Sequence, residues 1–218
     1  MTRYFREPVS GFTHMAGAIL SMIGTIFLLY HAVTHGEGLL PVIAFIIFGL
    51  SLILLYTAST LYHLLPLSER GILALRKFDH MMIFVLIAGT YTPVSLLALD
   101  GGWRLGMMIG IWTFALGGIF LKAFWIGAPR WLSTGIYLLM GWLVVVAVLP
   151  IYRALALSGF VHLVLGGMFY SLGALIYGLK WPDITTKHFG FHEIFHIFVM
   201  LGSLFHFFMM YFYVLPLA

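Results

Sequence analysis

The stretch LLPVIAFIIFGLSLILLYTASTLYHLL, residues 39–65, runs for 27 residues without one Asp, Glu, Lys or Arg. A helix of ~20 predominantly apolar residues crosses the hydrocarbon core of a bilayer and satisfies its own backbone polar groups there. The segment therefore reads as a membrane-spanning helix, and it sets the scale for the rest of the chain. Six more apolar segments of comparable length flank it: Phe12–Ala32, Phe78–Leu99, Trp103–Phe124, Leu132–Tyr152, Val161–Lys180 and Phe191–Leu217. Polar or Gly/Pro punctuation separates each pair: THGEG, PLSERG, LDGG, GAPR, ALSG and WPDITTKHFG. The sequence predicts an all-α polytopic membrane protein with seven transmembrane helices, forming a single domain over residues 1–218.

Composition agrees. Of the 218 residues, 62% are apolar and 8% charged, and the mean hydropathy is +1.08. A soluble domain carries roughly 25% charged residues, so the chain lacks the charge to cover a water-facing surface. A soluble enzyme, a nucleic-acid binder and a disordered protein are excluded. Cysteine is absent, which removes disulfides, thiolate metal sites and cysteine nucleophiles. Ten histidines against eighteen charged residues is the first chemical clue.

The positions of Lys and Arg give a direction. Arg3, Arg6, Arg70, Arg76, Lys77, Lys122, Arg130, Lys180 and Lys187 fall on the N-terminal side, and Arg104 and Arg153 on the other. By the positive-inside bias, the N-terminus is cytoplasmic and the C-terminus outside. Arg3 and Arg6 precede Glu7, Pro8 and an apolar run too long for a cleavable signal, so the first helix is expected to stay in the mature protein. Gly106 and Gly110 form a GxxxG pair that would suit close helix packing, and Pro93 is expected to kink the third span.

Ionisable residues inside spans are costly and so are functional candidates. His63 ends the second span, Asp79 opens the third, and His192 and His196 open the seventh. All four fall in the cytoplasmic half, although they come from three separate helices. His192 and His196 are four apart in HEIFH, on one helical face. Such a pair offers two imidazoles to one metal, and a third from His63 makes a three-histidine set with an open position, the catalytic type of zinc site. Neutral imidazoles without thiolates favour zinc over copper(I) or iron–sulfur.

Competing readings of the same residues are weaker. A lone intramembrane histidine is ordinarily a hydrogen-bonded interior residue, and His14, His80 and His206 are read that way. His206 lies ~21 Å along the helix from His192 at 1.5 Å per residue, too far to share its metal. His31, His35, His162 and His188 fall near span ends and read as interfacial. HEIFH also matches the H-E-x-x-H metalloprotease pattern. However, Glu193 points about 100° away from His192, and Asp100 of the Leu99–Gly101 LDG sequence falls at the opposite membrane face.

Taken together, Ser59-Thr-Leu-Tyr-His63, Arg76-Lys-Phe-Asp79-His80 and His192-Glu-Ile-Phe-His196, in this order and at these topological positions, resemble the motifs of the hemolysin III family. That family groups with the progestin and adipoQ receptors and more distantly with the alkaline ceramidases, and Phe12-Thr-His14 resembles its bacterial branch. The resemblance covers nearly the whole chain and implies a multi-pass protein of the bacterial plasma (inner) membrane. It further implies that His63, His192 and His196 bind Zn2+, that Asp79 holds or deprotonates the reacting water, and that Ser59 supports the site by hydrogen bonding.

The expected activity is that of a zinc-dependent lipid amidohydrolase, ceramidase-like, acting on membrane lipids with a lipid or fatty-acid ligand and serving membrane lipid homeostasis. Zinc lowers the pKa of water and polarises a carbonyl, while Asp79 acts as general base. The alternatives are a non-enzymatic, metal-stabilised sensor or receptor-like homeostasis factor and, last, the cytolysin that the family name implies. No nucleic-acid partner is expected.

Overall fold

The computed structural model describes residues 4–35, 38–183 and 189–218; Arg3, Lys187, His188 and the side chain of His35 lie outside them. Among the described residues there is helix and no strand. The helices are α1 (Pro8–His35), α2 (Leu39–Leu64), α3 (Glu69–Pro93), α4 (Gly101–Phe124), α5 (Arg130–Gly141), α6 (Val148–Leu179) and α7 (Phe191–Met209). Six helical stretches are long and apolar enough to cross a membrane: Pro8–Thr34, Leu39–Leu64, Glu69–Ala98, Gly101–Phe124, Arg130–Leu179 and Phe191–Leu217.

The fifth stretch is 50 residues long, which as a straight helix would extend ~75 Å. It does not run straight. Ala156 has φ 54° and ψ −178°, a conformation that costs a non-glycine residue about 1–3 kcal/mol, and the chain reverses there. Arg130 Nη1 donates to Tyr177 O at 3.1 Å, and Trp142 Nε1 donates to Ser171 Oγ at 2.9 Å. Both pairs straddle Ala156 nearly symmetrically, as the two arms of a hairpin must. The break falls on the first residue of the ALSG punctuation. On the first arm the helix tightens to a 3-10 form over Trp142–Ala147. The Tyr91 hydroxyl serves that transition by donating to Gly141 O at 2.6 Å and accepting from Val144 N at 2.7 Å.

Neighbouring helices pack in sequence, α1 on α2, α2 on α3, α3 on α4 and α6 on α7, with α1 against α7 and α5 against α3 and α6. Close approach is made by small residues: a methyl at Gly118 of α4 would collide with the Phe84 ring of α3, and one at Gly49 of α2 with Thr25 of α1. Gly106 has no heavy atom near its Cβ position, and Gly110 meets only Leu143 at 4.0 Å. The GxxxG pair is therefore not a seam within the chain. Pro93, which cannot donate a backbone hydrogen bond, closes α3 and is followed by a wide π-helical turn, Val94–Ala98.

Burial is inverted relative to a water-soluble protein. Lys122 is 1% exposed and Ser59 1%, while Leu20 is 61% and Phe120 61% exposed. Apolar side chains face outward where lipid would be, and polar groups turn inward to satisfy one another. In the middle of the bundle Ser203 Oγ lies 2.6 Å from Tyr56 Oη and 2.8 Å from Tyr170 Oη, joining α2, α6 and α7.

α3 begins at Glu69, well before the Phe78 boundary that hydropathy suggests, because Ser68 caps its N-terminus by accepting from Gly71 N at 3.4 Å. Asp79 consequently lies inside the helix, about three turns from its start, while remaining at the beginning of the apolar run.

Candidate metal centre

Three helix ends meet at one end of the bundle. His63 sits in the last turn of α2, and His192 and His196 in the first turns of α7. One ring nitrogen from each lies within 4.8 Å of the others, with His192 Nε2 3.4 Å from His63 Nε2. The spacing that predicted a shared metal does bring the three rings together.

What fixes the rings is the N-terminal segment. His63 Nδ1 is hydrogen-bonded to the Glu7 carboxylate, and Glu7 N donates to His63 O at 3.0 Å. His196 Nδ1 donates to Ser10 O at 3.2 Å. With Nδ1 engaged in both cases, Nε2 is left as the free lone pair, the arrangement by which proteins orient metal-binding imidazoles. The hydrogen bond from His63, reinforced by the Arg6 guanidinium, holds the Glu7 carboxyl below its usual range despite partial burial. Arg6 itself is anchored by a 2.7 Å bond to Tyr62 O and lies over the Tyr62 ring.

Glu193 has a different task from the one its motif suggests. Its carboxylate accepts from Ser10 Oγ at 2.6 Å and from Gly190 N at 2.8 Å. It therefore caps the start of α7 and steadies Ser10, whose carbonyl in turn holds His196.

His192 and His196, though not His63, line a cavity of about 410 Å³ together with Ser59, Asp79 and His80, with Leu86, Leu138, Phe195 and Val199 among its apolar walls. That volume lies in the range of small-molecule sites. Asp79 is buried, its Oδ2 3.2 Å from His80 Nδ1, and it is within electrostatic reach of His63 and His14. It shares the cavity with the cluster but is not one of the three mutually close ligand groups. Ser59 is buried on the same wall.

His14 departs from expectation. It is buried, but neither ring nitrogen has a hydrogen-bond partner. The ring instead stacks on His196 at a centroid distance of 3.7 Å and 10° between planes, with Tyr56 edge-on at 5.0 Å. It acts as packing for a ligand ring, which a hydrogen-bonded reading of a lone histidine misses. His80 pairs with Asp79, and His206, far down α7, has Nε2 3.3 Å from Leu163 O.

Sequence reasoning also missed Glu7, Ser10 and Lys122. Glu7, Ser10 and His14 recur at helical spacing on one face, opposite Phe12, Met15 and Ile19, and that polar stripe was the available signal. Lys122 counted only as a topological charge, yet it is buried in the cavity wall.

The donor set fits a zinc ion: three imidazoles, two with their second nitrogen tied and one side facing a cavity. Glu7→Gln is expected to weaken zinc binding ~10–100-fold, as loss of a supporting partner does. Competition with a chelating dye measures this, and an unchanged affinity would show that the Glu7 contact is incidental to the site.

Comparison with known proteins supplies a broader context. The sequence model for the family described as Haemolysin-III related matches residues 2–207. The chain is similar to "Hemolysin-3" of Bacillus cereus, 42% identical over 223 aligned positions that cover 100% of this chain and 96% of that protein. It is also similar to "Hemolysin-3 homolog" of Bacillus subtilis (strain 168), 40% identical over 207 positions, covering 95% and 93%.

Proposed function

The chain belongs to the haemolysin-III related family of integral membrane proteins, and from that premise we propose that it is a zinc-dependent hydrolase of a lipid amide, crossing the bacterial plasma membrane seven times. Two antiparallel arms at residues 130–179 turn the six long apolar stretches into seven crossings. The gathering of Arg6, Arg76, Lys77, Lys122 and Arg130 at the histidine end supports a cytoplasmic location for that end and for the N-terminus.

The observation that carries the activity is the meeting of three ring nitrogens, two of them from rings that line an apolar cavity shared with Asp79. His63, His192 and His196 would hold the metal. Zinc so held supplies an activated water and an electrophile for the amide carbonyl. Asp79 accepts the proton of the attacking water and returns it to the departing amine, so that one amide and one water become one fatty acid and one amine. His80, 3.2 Å from Asp79, steadies the carboxylate for this work. The apolar walls hold the acyl chain and exclude bulk water.

A metal-stabilised sensor without turnover would call for a closed ligand set. Asp79 is engaged with His80 instead, and the cluster faces open space, which favours the enzyme. Haemolysis is what the names of the two relatives record. Among the described residues the outward faces are apolar, without a charged water-lining stripe, and this supports a reaction on lipid over a pore.

The test is release of fatty acid from a panel of N-acyl lipids by the purified protein, read by mass spectrometry. Turnover is expected to stop on chelation and return with zinc. If no acyl amide in the panel is cleaved above the level of His192→Ala, the hydrolase reading fails.

A further inference from the structure

The same cavity has a cationic end that the hydrolase reading leaves unused. Arg76 from α3, Lys122 from α4 and Arg130 from α5 all line it. Lys122 is 1% exposed, and its ammonium donates to Ser133 Oγ. Buried charges are ordinarily paired with an opposite charge; Lys122 is buried, Arg130 half-buried, and Arg76 reaches the cavity from an exposed position at its rim. Among the described residues, however, none of these three cations has a carboxylate within ion-pair distance. Arg130 is held by Tyr177 O at 3.1 Å and lies over the Tyr177 ring at 4.6 Å, contacts that aim the guanidinium without neutralising it. Arg76 lies within electrostatic reach of Lys122, so like charges are gathered here.

Three cations thus face one carboxylate, Asp79, which already has His80 beside it. Thr134 adds a buried hydroxyl on the same wall with no hydrogen-bond partner. Guanidinium groups, an ammonium and a hydroxyl donor around one space match an oxyanion, and three positive charges suit a doubly charged one. Away from this end the wall turns apolar through Leu86, Ile87 and Val199 and continues to His206, ~21 Å along α7 from His192. Free phosphate has no use for such a shaft.

We propose that Arg76, Lys122 and Arg130 bind the phosphate monoester head group of a single-chain lipid whose tail lies in the apolar cavity. This deepens the hydrolase reading by naming its substrate class, an N-acyl lipid bearing a phosphate. It is tested by binding alone, so that the two can fail separately.

The probe is dodecyl phosphate, titrated into the purified full chain in uncharged maltoside detergent and followed by thermal melting and by the fluorescence of the cavity-lining Trp142. The same titration is made with dodecanol, dodecanoate and inorganic phosphate. Dodecyl phosphate is expected to bind saturably and at least tenfold more tightly than each of the other three, in wild type and in His192→Ala alike. Lys122→Met and Arg130→Gln are each expected to weaken it at least tenfold while leaving dodecanol unchanged; Arg76→Gln is an independent third variant.

Equal binding of dodecanol or dodecanoate would overturn the head-group assignment. Equal binding of inorganic phosphate would reduce the site to a free-anion site. Undiminished dodecyl phosphate affinity in all the folded charge variants would remove these residues from it. Binding that survives in His192→Ala beside a failed amide assay would leave this proposal standing without the hydrolase.

Discussion

Zinc at one ion per chain is expected in protein purified in uncharged detergent, and His63→Ala, His192→Ala and His196→Ala are each expected to reduce it to background. The three rings act as a unit: one ligand nitrogen from each lies within 4.8 Å of the others. Removing any one leaves two donors and an empty quadrant. Loss of a supporting partner alone costs ~10–100-fold in affinity, and loss of a direct ligand costs more. His206→Ala is the matched control, since it removes an equally buried imidazole from the same helix at a distance that bars it from the cluster. Elemental analysis by mass spectrometry decides the matter. Full zinc in any one of the three alanine variants would break the triad, and zinc lost equally in His206→Ala would show that the measurement reports unfolding.

Asp79→Asn is expected to separate metal from turnover. The substitution keeps shape and hydrogen-bonding capacity but removes the base. Zinc should stay at one per chain while the rate of amide cleavage falls ~10²–10⁴-fold, the usual worth of a positioned general base. Two results would overturn the role. Full activity in the asparagine variant would exclude Asp79 as the proton acceptor, and loss of zinc would make it a ligand. Its position supports the first role: Asp79 shares the cavity with His192 and His196 but stands outside the three mutually close ring nitrogens.

Much of the architecture was legible because its signals are local. Charge-free runs mark helices in any apolar solvent, and the histidines of HEIFH share a face by helical arithmetic alone. The meeting of His63 with that pair could be inferred from depth once loop charges gave direction. The start of α3 was not legible, because hydropathy starts a span where apolar residues start, whereas the helix starts at its Ser68 cap, within a polar turn. The partners of the rings were harder to see. Glu7 is 56 residues from His63, and Ser10 is 186 from His196, separations across which no periodicity speaks. Glu193 was half legible: its direction on the helix set aside the base that the motif advertises, but the cap it forms with Gly190 and Ser10 needed the structure. Lys122 was invisible as a wall residue because a cation near a span end has an ordinary explanation in topology.

That long separation has a consequence for how the protein is made. Glu7 and Ser10 leave the ribosome long before α7 does. At ~5–20 residues per second, the interval between Ser10 and its partner His196 is roughly ten to forty seconds. For most of that interval, once His63 has been made, α2 carries it with its carboxylate but without the other two rings. The three-ring cluster therefore cannot assemble until α7 is in place, and a nascent chain arrested before α7 inserts would hold His63 and its carboxylate without the ring pair they face.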